Sequence, residues 1–159
     1  MKTSKTFAIA VAAALLSACA TMQAPSPITD TAQHTPQLST LTKLINDAGL
    51  ADTLRGAGPY TVFAPSDEAF KGVPPATLAA LASDKELLKS VLTFHVLPGK
   101  VSAAEVTNGN AKTVQGANVA LSKSGSFITI EDAVVTQADV PASNGVVHVI
   151  DRVLMPPKK

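Results

Sequence analysis

The sequence predicts a single α+β domain carried behind an export signal and a polar tether. Three observations lead there. Apolar residues recur at helical spacing as far as Phe94, short β-branched runs take over beyond Pro98-Gly99, and the two kinds of segment are gathered separately instead of alternating. That segregation favours α+β over a parallel α/β sheet built from alternating units. A chain of 159 residues is one domain's worth, and with 46% hydrophobic residues it can bury a core without staples.

Residues 1–18 read as a signal peptide. Lys2 and Lys5 precede an apolar run from Phe7 to Leu16, followed by Ser17, Ala18 and Cys19, the order of a secretory signal. The run is about half of the roughly 20 residues a membrane-spanning helix needs, so cleavage is expected and an uncleaved anchor is the alternative. Leu16-Ser17-Ala18-Cys19 resembles the bacterial lipobox, with the chain's one cysteine where the lipid would be attached. The competing reading is an ordinary signal cut near Ala18 or Ala20 that leaves a free thiol. Acylation would supply about 0.8 kcal/mol per buried CH₂, enough with two or three chains for near-permanent membrane attachment. Ala20 stands where an Asp would resemble an inner-membrane retention signal, so lipid anchoring in the outer membrane is expected. Residues 19–36 then form the lipidated Cys and a flexible tether: from Ala20 to Pro36 the chain is small and polar, with Pro25, Pro27 and Pro36 and no regular period.

The domain proper is expected over 37–157. Leu38, Leu41, Leu44, Ile45 and Ala48 share one helical face that stops at Gly49, and Leu50–Arg55 form a second short turn before Gly58-Pro59. Tyr60–Ala64 is β-branched and aromatic, a strand. Ser66 can cap a short helix with Asp67 and Glu68 in its first turn, where acids suit the helix dipole. Pro74-Pro75 opens a helix over Ala76–Ala82, and Ser83-Asp84-Lys85-Glu86 has the form of a capping box before Leu87, Leu88, Val91 and Leu92. Strands are predicted at Thr113–Val114, Val119–Ser122, Phe127–Ile130, Val134–Thr136 and Val146–Leu154. The last is apolar at both parities, as a strand buried on two faces would be.

Two long segments carry a family resemblance. Gly58-Pro59-Tyr60-Thr61-Val62-Phe63-Ala64-Pro65-Ser66-Asp67-Glu68-Ala69-Phe70 resembles the first signature box of fasciclin domains. Asn144-Gly145-Val146-Val147-His148-Val149-Ile150-Asp151-Arg152-Val153-Leu154 resembles the second. Between them Phe94-His95-Val96-Leu97-Pro98-Gly99 is similar to the family's central aromatic-histidine motif, with Phe for the more usual Tyr. The resemblance covers Leu38 to Pro157. It implies a wedge-shaped β-sandwich with a flanking helical bundle, found in cell-surface proteins and associated with adhesion, and it implies no enzyme chemistry.

Candidate site residues are few. His95 and His148 interrupt apolar runs; with Asp151 they read as structural residues, the imidazoles buried, neutral and satisfying backbone groups, with an acid/base or metal pair including Asp151 or Asp67 as the alternative. His148 and Asp151 are three apart on a strand and so fall on opposite faces unless a bulge intervenes. Adjacent Asp67 and Glu68 do not face each other on a helix, Ser66 lacks a Gly-x-Ser-x-Gly setting, and phosphate-binding glycine loops are missing. No catalytic residue is expected. Ala138–Gly145 reads as a loop at the place where animal fasciclin domains carry Asp-Ile adhesion peptides, with Asp139 and Val140 as the matching pair; a plain turn is the competing reading.

Composition narrows the partners. With 13 basic and 12 acidic residues, five Phe, one Tyr and no Trp, the chain has neither the basic face nor the stacking platform that nucleic acid requires. One Cys and three scattered His match no zinc spacing, and no metal or other cofactor is expected. Loss of Lys2 and Lys5 would leave 11 basic against 12 acidic residues, a formal −1. The expected function is a non-enzymatic surface adhesion or interaction module, held to the membrane through its N-terminal lipid and meeting a protein or polysaccharide ligand. A periplasmic lipoprotein that binds a small ligand or polysaccharide is the alternative, and a hydrolase built on His95, His148 and nearby acids is a third.

Overall fold

The computed structural model describes residues 26–157. The expected signal, Cys19 and the first part of the tether lie outside the described residues. In chain order the elements are α1 (Ile28–Gln33), a 3₁₀ turn (Pro36–Leu38), α2 (Ser39–Asp47), α3 (Ala51–Arg55), β1 (Tyr60–Pro65), α4 (Asp67–Lys71), α5 (Pro75–Ser83), α6 (Lys85–Phe94), β2 (Val96–Pro98), β3 (Gly109–Lys112), β4 (Asn118–Ser124), β5 (Phe127–Ile130), β6 (Ala133–Ala142) and β7 (Gly145–Ile150). The class is α+β: among the described residues all the helices lie in the first part of the chain with β1 among them, and β2 to β7 follow α6 without a further helix.

The seven strands run in the order β2-β1-β7-β6-β5-β4-β3. Beyond β3, Val114 N–H donates to Val96 O of β2 at 2.8 Å, so the sheet curls almost into a barrel and the two layers of the expected sandwich are halves of one sheet. β1 pairs with β7 in parallel, Val62 opposite Val147, while the remaining pairs are antiparallel. Strand alternation gives β1 and β7 two buried faces. Val62, Ala64, Val147 and Val149 pack against Leu41, Ile45, Leu88 and Val91 of the helices. Phe63 and Ile150 point the other way, into a second core with Val119, Leu121, Ile128 and Ile130. All six residues of β7 are buried, as its apolar character at both parities predicts.

The helix starts are set by side chains. Ser66 Oγ accepts from Ala69 N–H at 3.3 Å at the start of α4. Asp67 serves a different helix: its carboxylate accepts from Thr40 N–H at 2.8 Å and Ser39 Oγ–H at 2.7 Å, at the first turn of α2. Partial burial opposes its charge, but the Thr40 and Ser39 bonds outweigh that and hold its carboxyl below the ordinary carboxylate value.

Four expectations need correction. The segment expected to be tether as far as Pro36 is folded from Ile28 onward. With few apolar residues it carries no readable period, and α1 is held by tertiary partners: Ile28 and Ala32 enter the helical core, and Ser143 N–H donates to Ser26 O at 2.9 Å. The cap of α6 is Asp84, whose Oδ1 accepts from Glu86 N–H and Leu87 N–H, both at 3.0 Å, while Ser83 Oγ bonds back to Ala79 O. The strand expected at Thr113–Val114 lies at Gly109–Lys112, because Thr113 is taken into a turn by bonds to Ala117 O. The Ala138–Gly145 segment is a loop only at its end, since β6 continues to Ala142 through two register shifts against β7. Pro141 is tolerated because β5 pairs with β6 only at Ala133 and Val134, leaving that edge without a ladder partner for a proline to break.

Candidate functional site

His95 follows α6 and is fully enclosed. Its Nε2 accepts the Leu154 N–H at 2.9 Å, so the hydrogen sits on Nδ1, which donates to Val91 O at 2.7 Å. Burial depresses its pKa to about 4, against the opposing pull of the Val91 carbonyl, and the ring is neutral. His148, on β7, is equally enclosed and is used at both nitrogens. Nδ1 accepts the Asp139 N–H at 3.2 Å and Nε2–H donates to Val101 O at 2.8 Å. Its ring stacks on Phe63, with centroids 5.6 Å apart and planes inclined at 24°. Each imidazole therefore joins two chain segments, and neither has a nitrogen left over for a substrate proton.

The acidic candidates are also engaged by backbone. Asp151 lies just beyond β7, and its Oδ1 accepts the Val134 N–H at 2.7 Å, away from the His148 bonds. Asp139 sits in the β6 irregularity at φ 56°, with its Oδ1 accepting the Ala103 N–H at 2.8 Å. Val140 pairs with Val147 and packs against the helical core. In this pair the aspartate is exposed, with its carboxylate bonded to the 103 segment, and the valine is half-buried against the helical core. Among the described residues, no group of three or more His, Cys, Asp or Glu side chains is placed to hold a metal ion.

Two features have no counterpart in the sequence reading. Asn144 Oδ1 accepts the Ile28 N–H at 3.0 Å, and its Nδ2 donates to Leu54 O at 2.6 Å and Gly56 O at 3.0 Å. One amide thus gathers α1, the end of α3 and the β6–β7 turn. The Asn-Gly pair signalled the turn, but partners 88 to 116 residues away left no local trace. Gly145, next to it, lies so close to Tyr60 O of β1 that a Cβ there would overlap the carbonyl. The second feature is a pair of neighbouring clefts at the opposite end of β1 and β7. One, of ≈ 510 Å³, is lined by residues including Glu131, Asp132 and Phe94. The other, of ≈ 460 Å³, is lined by residues including Ala69, Val73 and Asp151; Arg152, Val153 and Met155 line both. Neither histidine lines them.

Comparison with known proteins decides the family. The fasciclin domain model matches residues 36–156. The chain belongs to the fasciclin family. It is 39% identical over 132 residues to protein sll1483 of Synechocystis, covering 82% of this chain and 73% of that protein. It is 40% identical over 139 residues to the cell surface glycolipoprotein MPB83 of Mycobacterium bovis, covering 84% of this chain and 62% of the relative's length. The immunogenic protein MPB70 of the same species is 39% identical over 136 residues, covering 82% of this chain and 69% of MPB70. Among solved structures, a FAS1 domain pair from the insect cell adhesion molecule fasciclin I superposes with a TM-score of 0.65 at 18% identity, over 82% of this chain and 51% of that one. That likeness shows the fold. Helix α1 lies just ahead of the span that the family model matches.

Proposed function

We propose that this fasciclin domain is a non-enzymatic interaction module of the bacterial cell surface, attached to the outer membrane by lipid on Cys19 and binding a protein or polysaccharide partner. The observation that carries this reading is the 40% identity, over 84% of the chain, to proteins named cell surface glycolipoproteins. The Leu16-Ser17-Ala18-Cys19 sequence supplies an attachment point consistent with such a class. Engagement of both histidines by backbone groups speaks for a structural role of His95 and His148 and against acid–base chemistry there. The test is threefold: acyl labelling of the chain and of its Cys19→Ser variant, protease shaving of intact cells, and attachment and aggregation of a deletion strain. Acylation lost with Cys19, digestion by external protease and impaired attachment are the expected results; unaltered attachment where the protein is expressed would refute the adhesive role.

The two clefts favour a second reading, a periplasmic lipoprotein that takes a small ligand or a polysaccharide end. Protease shaving separates the two, because a protein facing the periplasm would survive it.

A further inference from the structure

Cys19 and the first described residue, Ser26, are seven positions apart, and at roughly 3.3–3.6 Å per fully extended residue that stretch cannot span more than about 25 Å. If Cys19 is acylated, the point where this leash enters the domain stays within about 25 Å of the bilayer surface, so the end of the domain that receives it lies nearer the membrane on average. That point is well secured. Ser26 O accepts from Ser143 N–H at 2.9 Å and from Thr31 Oγ–H at 3.1 Å, and the next turn of chain is held through Ile28 N–H by Asn144.

The strand registers place one end of the sheet around this entry. Tyr60 lies opposite both Pro98 and Gly145, and Ala142 lies opposite Gly145, so the starts of β1 and β7 and the ends of β2 and β6 are together. The Asn144 side chain adds the end of α3, and Gly99 N–H donates to Pro59 O at 2.9 Å, bringing in the exposed Lys100 turn. At the far end of the same strands Pro65 lies opposite Ile150, followed by Asp151, and the two clefts around Arg152, Val153 and Met155 open there. Five residue steps along β1 separate the two ends by roughly 17 Å.

We infer that the pole bearing Ser26, the 56–59 loop, Lys100 and the β6–β7 turn faces the lipid headgroups, and that the pole bearing the Arg152–Met155 clefts faces away from the membrane. The inference rests on acylation of Cys19, and the occupant of the near pole is the bilayer to which that lipid belongs. Proximity is imposed by leash length and does not require an affinity of the protein surface for lipid. The clefts are then the part of the molecule offered to whatever lies beyond the membrane surface.

The test uses the full-length chain matured as a lipoprotein, in which an acylated Cys19 leaves a single introduced cysteine free for a fluorophore. Lys100→Cys reports the near pole and Asp132→Cys the far pole; both positions are exposed. Each labelled protein is incorporated into phosphatidylethanolamine–phosphatidylglycerol vesicles carrying a headgroup-linked quencher. Several-fold stronger quenching at position 100 than at 132 is expected, and about fifteen Gly/Ser residues inserted between Pro25 and Ser26 should erase the difference by freeing the domain. Equal quenching at the two positions with the native leash, or stronger quenching at 132, in protein that floats with the vesicles would overturn the orientation and leave the anchor standing. Protein that fails to float, as Cys19→Ser must, would overturn the anchor and the orientation together.

Discussion

Acid should destabilise this domain well before its carboxylates protonate, and His95 is the reason. In the folded chain its ring is enclosed, with Nε2 accepting from Leu154 N–H and Nδ1–H donating to Val91 O, and burial lowers its pKa from the ordinary 6.5 to about 4. An unfolded chain exposes the ring at its ordinary pKa. Between about pH 6.5 and 4 the unfolded state therefore holds a proton that the folded state lacks, so stability falls as pH falls through that window. Above it both states are neutral at this residue and the effect vanishes; below about pH 4 both are charged and the slope from this residue ends. The total is about 3 kcal/mol, a large share of the roughly 5–15 kcal/mol by which domains are stable. Asp67 and Glu105, whose carboxyls are held below their ordinary values by backbone and hydroxyl donors, add losses of the same sign at lower pH. Urea unfolding of the unlipidated chain starting at Ala20, followed from about pH 7 to pH 4, measures the sum. His95→Gln isolates the residue: the variant is less stable at neutral pH through lost packing and hydrogen bonding, and the gap between it and the parent narrows on acidification. Parallel curves across the window would refute the argument, because they would mean that the parent takes up no extra proton at His95 on unfolding.

Further outcomes follow from single contacts. Asn144→Ala removes three bonds to backbone groups and should cost about 3 kcal/mol in urea unfolding, with α1 amides exchanging fastest in a hydrogen-exchange measurement. Gly145→Ala drives a methyl into Tyr60 O of β1 and should cost about 3 kcal/mol or more, whereas Gly72→Ala, with ordinary contact at 3.5 Å from Ala69 O, should stay within about 1 kcal/mol of the parent by thermal melting. Asp84→Ala should cost about 1 kcal/mol and Ser83→Ala much less, since the aspartate caps α6. Phe127→Ser, at a side chain 70% exposed on the β4–β5 hairpin, should leave stability within about 0.5 kcal/mol of the parent and improve solubility.

Local chemistry determined much of this protein on its own. The spacing of Leu41, Leu44, Ile45 and Ala48 makes one face of α2, Ser66 supplies its own helix start, and the unbroken apolar character of Val146–Ile150 demands burial on both sides. These features depend on neighbours within a few residues, which a sequence displays directly. The two boxes likewise identify the family without coordinates. Tertiary structure decided what depends on partners far along the chain. Helix α1 has too few apolar residues to be recognised alone and exists because Asn144 and the helical core receive it. β6 runs past its apparent end because β7 offers a ladder to shift against, and this places Asp139 in a bulge tied to Ala103 N–H and Val140 half-buried against the helical core. The histidines illustrate the division most clearly: an imidazole in an apolar run announces burial, but which nitrogen carries the hydrogen is assigned by Leu154, 59 residues from His95, and by Asp139, nine residues from His148 across a bulge. A hydrogen bond is satisfied by position in space, and only the folded chain brings those donors to the ring.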